Sequence, residues 1–357
     1  MSRAVVLGYQ GFGNVGDEAI LTGIEHLLDG VGIEVDAIIS GPEPVAAFPD
    51  ATRITTRRLR PSLAGIQALK RADLLLFSGG GLIHDHWPTV VPLYLGWSLL
   101  ARLVGTRIAW VGVGIGPIRS ARSRILAGRM LRLASLVTVR DAGSAQLAHT
   151  IAPGVPVLIG PDPALLNPPP STRARSGIGV IVRAPVPRDV ALTEDFAAVL
   201  GREVAILSAG SRPVTVLTLG GPGDRPFAET VRQRSQAAGA DPSIEHLGPD
   251  PMAVLDRLAS LEALITVRLH GLILGAVAGT PTLPVAYDDK VSLLAEQLGV
   301  GDICLDLARA ISGPPGTLSG LLSVAQQPDR LRQTAARVSA IRLQSTALRR
   351  ALEPFAG

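Results

Sequence analysis

The sequence predicts an α/β protein of two doubly wound, Rossmann-like domains closed by a C-terminal helix that packs across both. Three observations predict this. Short apolar runs bounded by Gly, Pro or charge alternate with helix-length stretches over most of the chain, the pattern of a parallel sheet with helices on both faces. Pro168-Pro169-Pro170 interrupts the alternation, because consecutive prolines continue neither a helix nor a central strand. At 357 residues the chain is also long enough for two domains of ordinary size.

In order, Ala4–Gly8 reads as a strand, Asp17–Leu28 as a helix and Glu34–Ser40 as a strand. Asp73–Ser78, Arg107–Val113, Leu136–Val139 and Val157–Gly160 follow as strands with helical stretches between most of them. This first domain is expected over residues 1–167. The second, over 168–327, resumes with strands at Ile178–Arg183, Val214–Leu219, Ile244–Leu247, Ala263–Val267, Thr282–Tyr287 and Ile303–Leu305. Helices are expected near Asp189–Ala209, Phe227–Ala238, Met252–Leu258, Gly271–Val277 and Val291–Leu298. In the tail, 328–357, Leu331, Ala335, Val338, Ile341, Ser345, Leu348 and Leu352 form one stripe at helical spacing, with Arg332 and Arg350 off it. That helix crosses back to the first domain. Two such domains and a crossing tail suggest the GT-B architecture, with an active site in the cleft.

Composition narrows the class. A hydrophobic content of 47% with few aromatics fits an Ala/Val/Leu/Gly-rich enzyme, and no long part reads as polar disorder. Mean hydropathy is +0.34, yet the longest apolar stretch, Trp87–Ala101, is short and contains Pro88 and Pro92. It reads as a buried helix, since a span needs about 18 or more apolar residues. The opening residues lack the apolar core of a signal peptide, which points to the cytoplasm. One cysteine, Cys304, excludes an internal disulfide and a multi-cysteine metal site, and its apolar neighbours make it a core residue. The net charge of +4 is almost wholly arginine and attracts anionic substrates, nucleic acid or an anionic membrane face.

Several motifs stand at predicted strand ends, where open α/β sheets hold ligands. Gly11, Gly13, Asn14 and Gly16 lie in the first strand-to-helix turn and open its backbone toward Asp17, beside Glu18. Taken alone, Asp17 is more often a helix cap. Gly79, Gly80 and Gly81 past the next buried strand exceed what a turn needs, so a ligand comes close there. His84, Asp85 and His86 lack a further ligand nearby, and no metal is expected. Arg140 can clamp a phosphate or carboxylate with its planar fork, or pair with Asp141. Arg268, His270 and Lys290, one of only two lysines, stand at the ends of successive strands of the second domain. An imidazole there donates to an anion or moves a proton, and a lysine binds phosphate.

Together Gly8-Tyr9-x-Gly-Phe-Gly-Asn-x-Gly-Asp-Glu-Ala-Ile, Ser78-Gly-Gly-Gly-Leu, Val139-Arg140-Asp141, Arg268-Leu-His270 and Tyr287-Asp-x-Lys290-Val closely resemble the polysaccharide pyruvyl transferase family. The nearest likeness is to its CsaB-type members, which pyruvylate secondary cell wall polymers. The resemblance implies transfer of a pyruvyl group from phosphoenolpyruvate to a sugar as a cyclic ketal, without a cofactor. It implies a lipid-linked N-acetylmannosamine acceptor and a polymer that anchors S-layer proteins. Peripheral contact with the inner membrane face and no nucleic acid partner are expected. By motif position Asp17 is the catalytic carboxylate, while Arg140, His270 and Lys290 hold phosphoenolpyruvate. Arg268, Gly13, Asn14, Gly80 and Gly81 complete the substrate-binding set, and which of Asp17 and His270 is acid or base stays open. The glycine loop departs from the family's usual Gln-Asp continuation at His84-Asp85-His86-Trp87, which leaves the sugar open. Two other readings compete: a GT-B glycosyltransferase using a nucleotide sugar, and a non-catalytic binder of anions or polysaccharide.

Overall fold

The computed structural model describes all residues except 172, 173, 185–189, 211 and 222, and not the side chains of 190–193. The expected helix start at Asp189, and Thr172-Arg173 after the triple proline, lie outside the described residues. The chain forms two compact units, Met1–Asn167 with Ile341–Gly357, and Pro168–Ala340.

The first unit is built on seven parallel strands: β1 (Ser2–Leu7), β2 (Ile33–Ser40), β3 (Thr52–Thr55), β4 (Leu74–Ile83), β5 (Arg107–Ile115), β6 (Leu136–Val139) and β7 (Leu158–Ile159). Their spatial order is β3-β2-β1-β4-β5-β6-β7. The strand order reverses between β1 and β4, and the connections that leave these two strands diverge to form a ligand-sized crevice. One face carries α1 (Val15–Leu28), with Gly23 tight against the Pro163 carbonyl. The other carries α2 (Leu63–Arg71), α3 (Val90–Leu103), α4 (Ala121–Leu133) and α5 (Ala142–Ile151). Their Leu69, Trp97, Met130 and Ala148 pack into one core with Leu7, Phe77, Trp110 and Val139. Each fully buried side chain of this size contributes roughly 1.5–3 kcal/mol.

Two expectations are corrected here. β4 does not stop at Ser78 but runs through the three glycines to Ile83, because β5 keeps pairing with it, Ser78 with Val111 and Gly80 with Val113. The apolar run after Trp87 is not a buried helix: α3 buries Tyr94, Trp97 and Ala101 on one side only and leaves Leu99 and Leu103 in solvent. Strand β3 is an addition. Its Thr-Arg-Ile-Thr sequence buries only Ile54, as befits an edge.

The second unit repeats the plan with β8 (Ile178–Ile181), β9 (Val214–Thr218), β10 (Ser243–His246), β11 (Ala263–Thr266), β12 (Thr282–Ala286) and β13 (Leu305–Asp306), in the order β10-β9-β8-β11-β12-β13. The reversal falls between β8 and β11. The helices are α6 (Val190–Ser208), α7 (Asp224–Ala237), α8 (Pro251–Ala259), α9 (Leu269–Val277), α10 (Asp289–Gln297), α11 (Leu307–Ser312) and α12 (Thr317–Ala325). Cys304 is half-buried at a turn, not a core residue, and burial raises its thiol pKa.

The tail is not one helix. α13 (Pro328–Leu343) stops at Gln344 and α14 (Ser345–Leu352) follows. Of the predicted stripe, Val338, Leu348 and Leu352 are buried, whereas Ala335 is exposed. Within the first unit Arg342 donates to the Leu165 and Asn167 carbonyls at 2.8 and 2.5 Å. Within the second, Arg330 forms a bidentate pair with Asp302 at 2.7 Å. Among the described residues no helix is long and apolar enough to cross a membrane.

Candidate active site

In the first unit the Gly8–Asn14 connection leaves β1 at the crevice and is fastened to the segment after β2. Gly41 N–H donates to Gln10 and Glu43 N–H to Gly11, both at 2.9 Å. Gly11 has φ +75°, and a Cβ there would stand 2.9 Å from the Gly41 backbone, so only glycine fits. The fully buried Gln10 side chain accepts from Ser78 Oγ at 3.1 Å and donates to the Ile39 carbonyl at 3.3 Å.

Helix α1 begins at Val15, two residues earlier than expected, which makes Asp17 its third residue and not its cap. Asn14 occupies the cap position, yet its side-chain amide donates to the Asp17 carboxylate instead of accepting a helix N–H. Asp17 is thus oriented by Asn14. Glu18 is 3% exposed and accepts the Gly11 amide at 2.6 Å. Burial pushes its carboxyl up to about 7, against the Gly11 hydrogen bond, with the charge of Asp17 adding to the rise and Arg53 opposing it. Tyr9 stacks on Phe12 with centroids 4.6 Å apart. Burial, and then the Asp17 charge, raise the phenol pKa of both Tyr9 and the fully buried Tyr94. Two phenols therefore share the field of Asp17.

Within β4, Gly80 has φ +79°, and a Cβ on it would lie 3.3 Å from Asp17 Oδ1. On Gly81 a Cβ would lie 4.0 Å from Arg140 Nη2. On the β4 side the two glycines present backbone alone to the carboxylate and the guanidinium. Arg140 is itself part-buried and ion-paired: Nη1 reaches Asp162 at 2.8 Å and Nε lies 3.8 Å from Asp141. Asp141 accepts the Ser144 amide at 2.6 Å as the cap of α5. Gly13 is half-buried, with φ +74° and only Glu43 Cγ within 4.0 Å of a would-be Cβ.

In the second unit α9 begins at Leu269, so Gly271 does not open it as expected and His270 is its second residue. Gly271 packs against Thr266 Oγ1, which also accepts the Arg268 amide at 3.1 Å. Lys290 is likewise the second residue of α10. Both half-buried side chains sit in the first turn of a helix, where the dipole favours an anion, and at α10 the Asp288 carboxylate already accepts the Lys290 amide at 3.2 Å. Arg268 turns elsewhere, donating to the Gly220 carbonyl at 2.5 Å and pairing with Asp224. Asp224, 2% exposed, also accepts the Ala184 amide at 3.0 Å. Its carboxyl is pushed up by burial and pulled back by Arg268, the Ala184 amide and Arg183.

Arg183 Cζ lies 4.1 Å from the Tyr287 ring centroid and Lys290 Nζ 5.3 Å from it. Lys290 also pairs with Asp288 at 3.1 Å. Burial raises the Asp288 carboxyl, but Lys290 and Arg183 outweigh it and leave it below its ordinary value. Among the described residues Arg183 makes no ion pair.

The model of the polysaccharide pyruvyl transferase family matches residues 14–289. The chain belongs to that family. No curated protein sequence matches it significantly. Solved structures resemble it in fold: the Neisseria meningitidis UDP-GlcNAc 2-epimerase bound to UDP-GlcNAc has TM-score 0.60 at 11% identity over 99% of each chain. The Methanocaldococcus jannaschii UDP-GlcNAc 2-epimerase gives 0.56 at 11%, covering 92% of this chain and 94% of that one. A spinosyn rhamnosyltransferase complexed with thymidine diphosphate gives 0.50 at 16%, covering 98% and 100%. These neighbours have the GT-B fold, and the transferase shares its two parallel-sheet α/β domains.

Within this transferase, the sequence-predicted residues fall into two sets. In the first unit Asn14 and Asp17 at the start of α1, Gly80 and Gly81 within β4 and Arg140 after β6 come together, and in the second His270 and Lys290 stand in the first turns of α9 and α10. Arg268 and Arg140 are tied to buried acids. Arg183, Glu18, Tyr9 and Tyr94 were not among the predicted residues. Arg183 follows the end of a buried strand, as Arg140 and Arg268 do, and that placement was readable. For Glu18 and Tyr94 the helical pattern signalled only packing. Among the described residues, no group of three or more His, Cys, Asp or Glu could hold a metal ion; His84 Nδ1 accepts the His86 amide at 3.2 Å.

Proposed function

We propose that this polysaccharide pyruvyl transferase moves the pyruvyl group of phosphoenolpyruvate onto two hydroxyls of one sugar and releases phosphate. The observation that carries the reading is the grouping of Arg183 and Lys290 about one Tyr287 ring, in the unit that also presents His270 at a helix start. Phosphoenolpyruvate carries a phosphate and a carboxylate, and such donors suit both.

In the reaction, a proton is added to the methylene carbon of phosphoenolpyruvate and one sugar hydroxyl adds to the central carbon. A second hydroxyl of the same sugar then displaces phosphate and closes the ketal. Asp17, held by Asn14, takes the proton of the attacking hydroxyl, and His270 supplies the proton to the methylene carbon or the departing phosphate. The acceptor is N-acetylmannosamine of a lipid-linked cell wall precursor, as in the CsaB-type members whose motifs the chain resembles, and the polymer serves S-layer anchoring.

Incubation with phosphoenolpyruvate and a lipid-linked N-acetylmannosaminyl mimic tests this, with phosphate release and ketal formation followed together. Phosphate and ketal in equal amounts are the expected result. No turnover, combined with tight binding of a nucleoside diphosphate, would point instead to a nucleotide-sugar glycosyltransferase.

A further inference from the structure

Acidic residues are missing from one long part of the first unit. Between Asp50 and Asp73 the chain has six basic residues and no carboxylate, and between Asp85 and Asp141 eight arginines and no carboxylate. These two stretches build α2, α3 and α4, which cover the same face of the sheet, and α2 packs on α3 and α3 on α4. Arg58, Lys70, Arg102, Arg122, Arg129 and Arg132 are all exposed. Among the described residues none of these six pairs with a carboxylate. Three of the four bounding acids accept backbone amides: Asp73 from Arg3 at 2.9 Å, Asp85 from Arg119 and Ser120 at 2.8 and 2.7 Å, and Asp141 from Ser144 at 2.6 Å.

Large apolar side chains stand among these cations. Leu103 is 82% exposed, Trp87 68%, Ile125 58% and Leu99 52%. Leu99 and Leu103 are four residues apart and so share one side of α3. Folding has not used these residues, although the inner side of the same helix is fully packed. We propose that the outer surface of the α2–α4 layer docks on an anionic phospholipid bilayer. Basic side chains gain from a negative surface potential, and the apolar ones enter the boundary between headgroups and acyl chains. A nucleic acid would use the arginines but has no use for projecting leucines, so the mixture selects the bilayer. The inference stands on charge and exposure and is independent of the reaction proposed above.

Flotation of the full chain with vesicles of phosphatidylcholine alone, and of phosphatidylcholine with phosphatidylglycerol, tests it. Binding is expected to the anionic vesicles and to weaken with added salt. Each lost charge lowers the partition roughly fivefold, so the triple variant Arg122→Glu, Arg129→Glu, Arg132→Glu should lose about a hundredfold or more. Leu99→Ser with Leu103→Ser leaves the charge intact and should weaken binding without altering its salt dependence. Unchanged thermal melting of each variant establishes that it folds. The proposal is overturned by equal or absent binding to both vesicle types, or by a folded triple variant that floats like the parent. Preference for a nucleic acid duplex, with the leucine pair indifferent, also overturns it.

Discussion

Glu18 Oε1 accepts the Gly11 amide at 2.6 Å, so a buried carboxylate in the first turn of α1 holds the loop that leads into that helix. Its elevation from the ordinary 4.5 to about 7 makes the bond a pH-dependent element. The native state binds this proton more tightly than the unfolded chain. Stability from this group is therefore greatest below pH about 4.5, falls as pH rises toward 7 and is level above. The rise corresponds to roughly 3 kcal/mol. Glu18→Gln keeps an oxygen for Gly11 and removes the charge. Urea unfolding at pH 5 and pH 8 should show the variant gaining on the parent at the higher pH; an equal gap at both would disprove the assignment.

Asp17→Asn preserves the shape that Asn14 grips. Phosphoenolpyruvate affinity should stay within about twofold, while phosphate release falls by roughly 10²–10⁴, the usual range for a lost acid or base. Binding is measured by calorimetry and release in a single turnover. A variant that turns over at the parent's rate removes Asp17 from the chemistry.

Arg183→Met should weaken phosphoenolpyruvate binding by about tenfold to a hundredfold, the worth of a hydrogen bond to a charged group, with Lys290→Met alike and unfolding midpoints unchanged. Unaltered affinity in both would place the donor elsewhere.

Arg268→Met should act on stability. It leaves the Asp224 carboxylate, 2% exposed, without its main counter-charge, and breaking one side of a buried pair costs about 3–5 kcal/mol. Adding Asp224→Asn, which can still accept the Ala184 amide, should recover much of the loss in a denaturant titration. If the double variant is as unstable as the single, the charge pair is not the cause.

The alternation of apolar runs made both sheets legible, because a strand buried on both faces has no cheaper composition than Val, Leu, Ile and Ala. Edges were less legible: β3 has one core residue, Ile54, and leaves no run to detect. Glycine disfavours strands, so the glycines of β4 suggest a connection, but continued pairing with β5 overrides that local preference. Asp17, His270 and Lys290 stand out in the sequence by their place near predicted strand ends. In the sequence Glu18 is only the neighbour of Asp17, because its partner Gly11 is reached by a loop whose path depends on Gly41. The pairings that occupy Arg140 and Arg268 depend on Asp162 and Asp224, which lie 22 and 44 residues away in the chain.

The residues Ile341–Gly357 belong to the unit that the first 167 residues begin. Arg107 in β5 donates to the Pro354 and Phe355 carbonyls at 2.8 and 3.2 Å, and Arg349 donates to those of His26 and Asp29 at 2.6 and 2.8 Å. On a ribosome these partners emerge only after the whole intervening unit has been made. The half of the protein that is synthesised first is therefore the last to be finished, and a chain stalled before Ile341 would carry Asp17 on an unsealed scaffold.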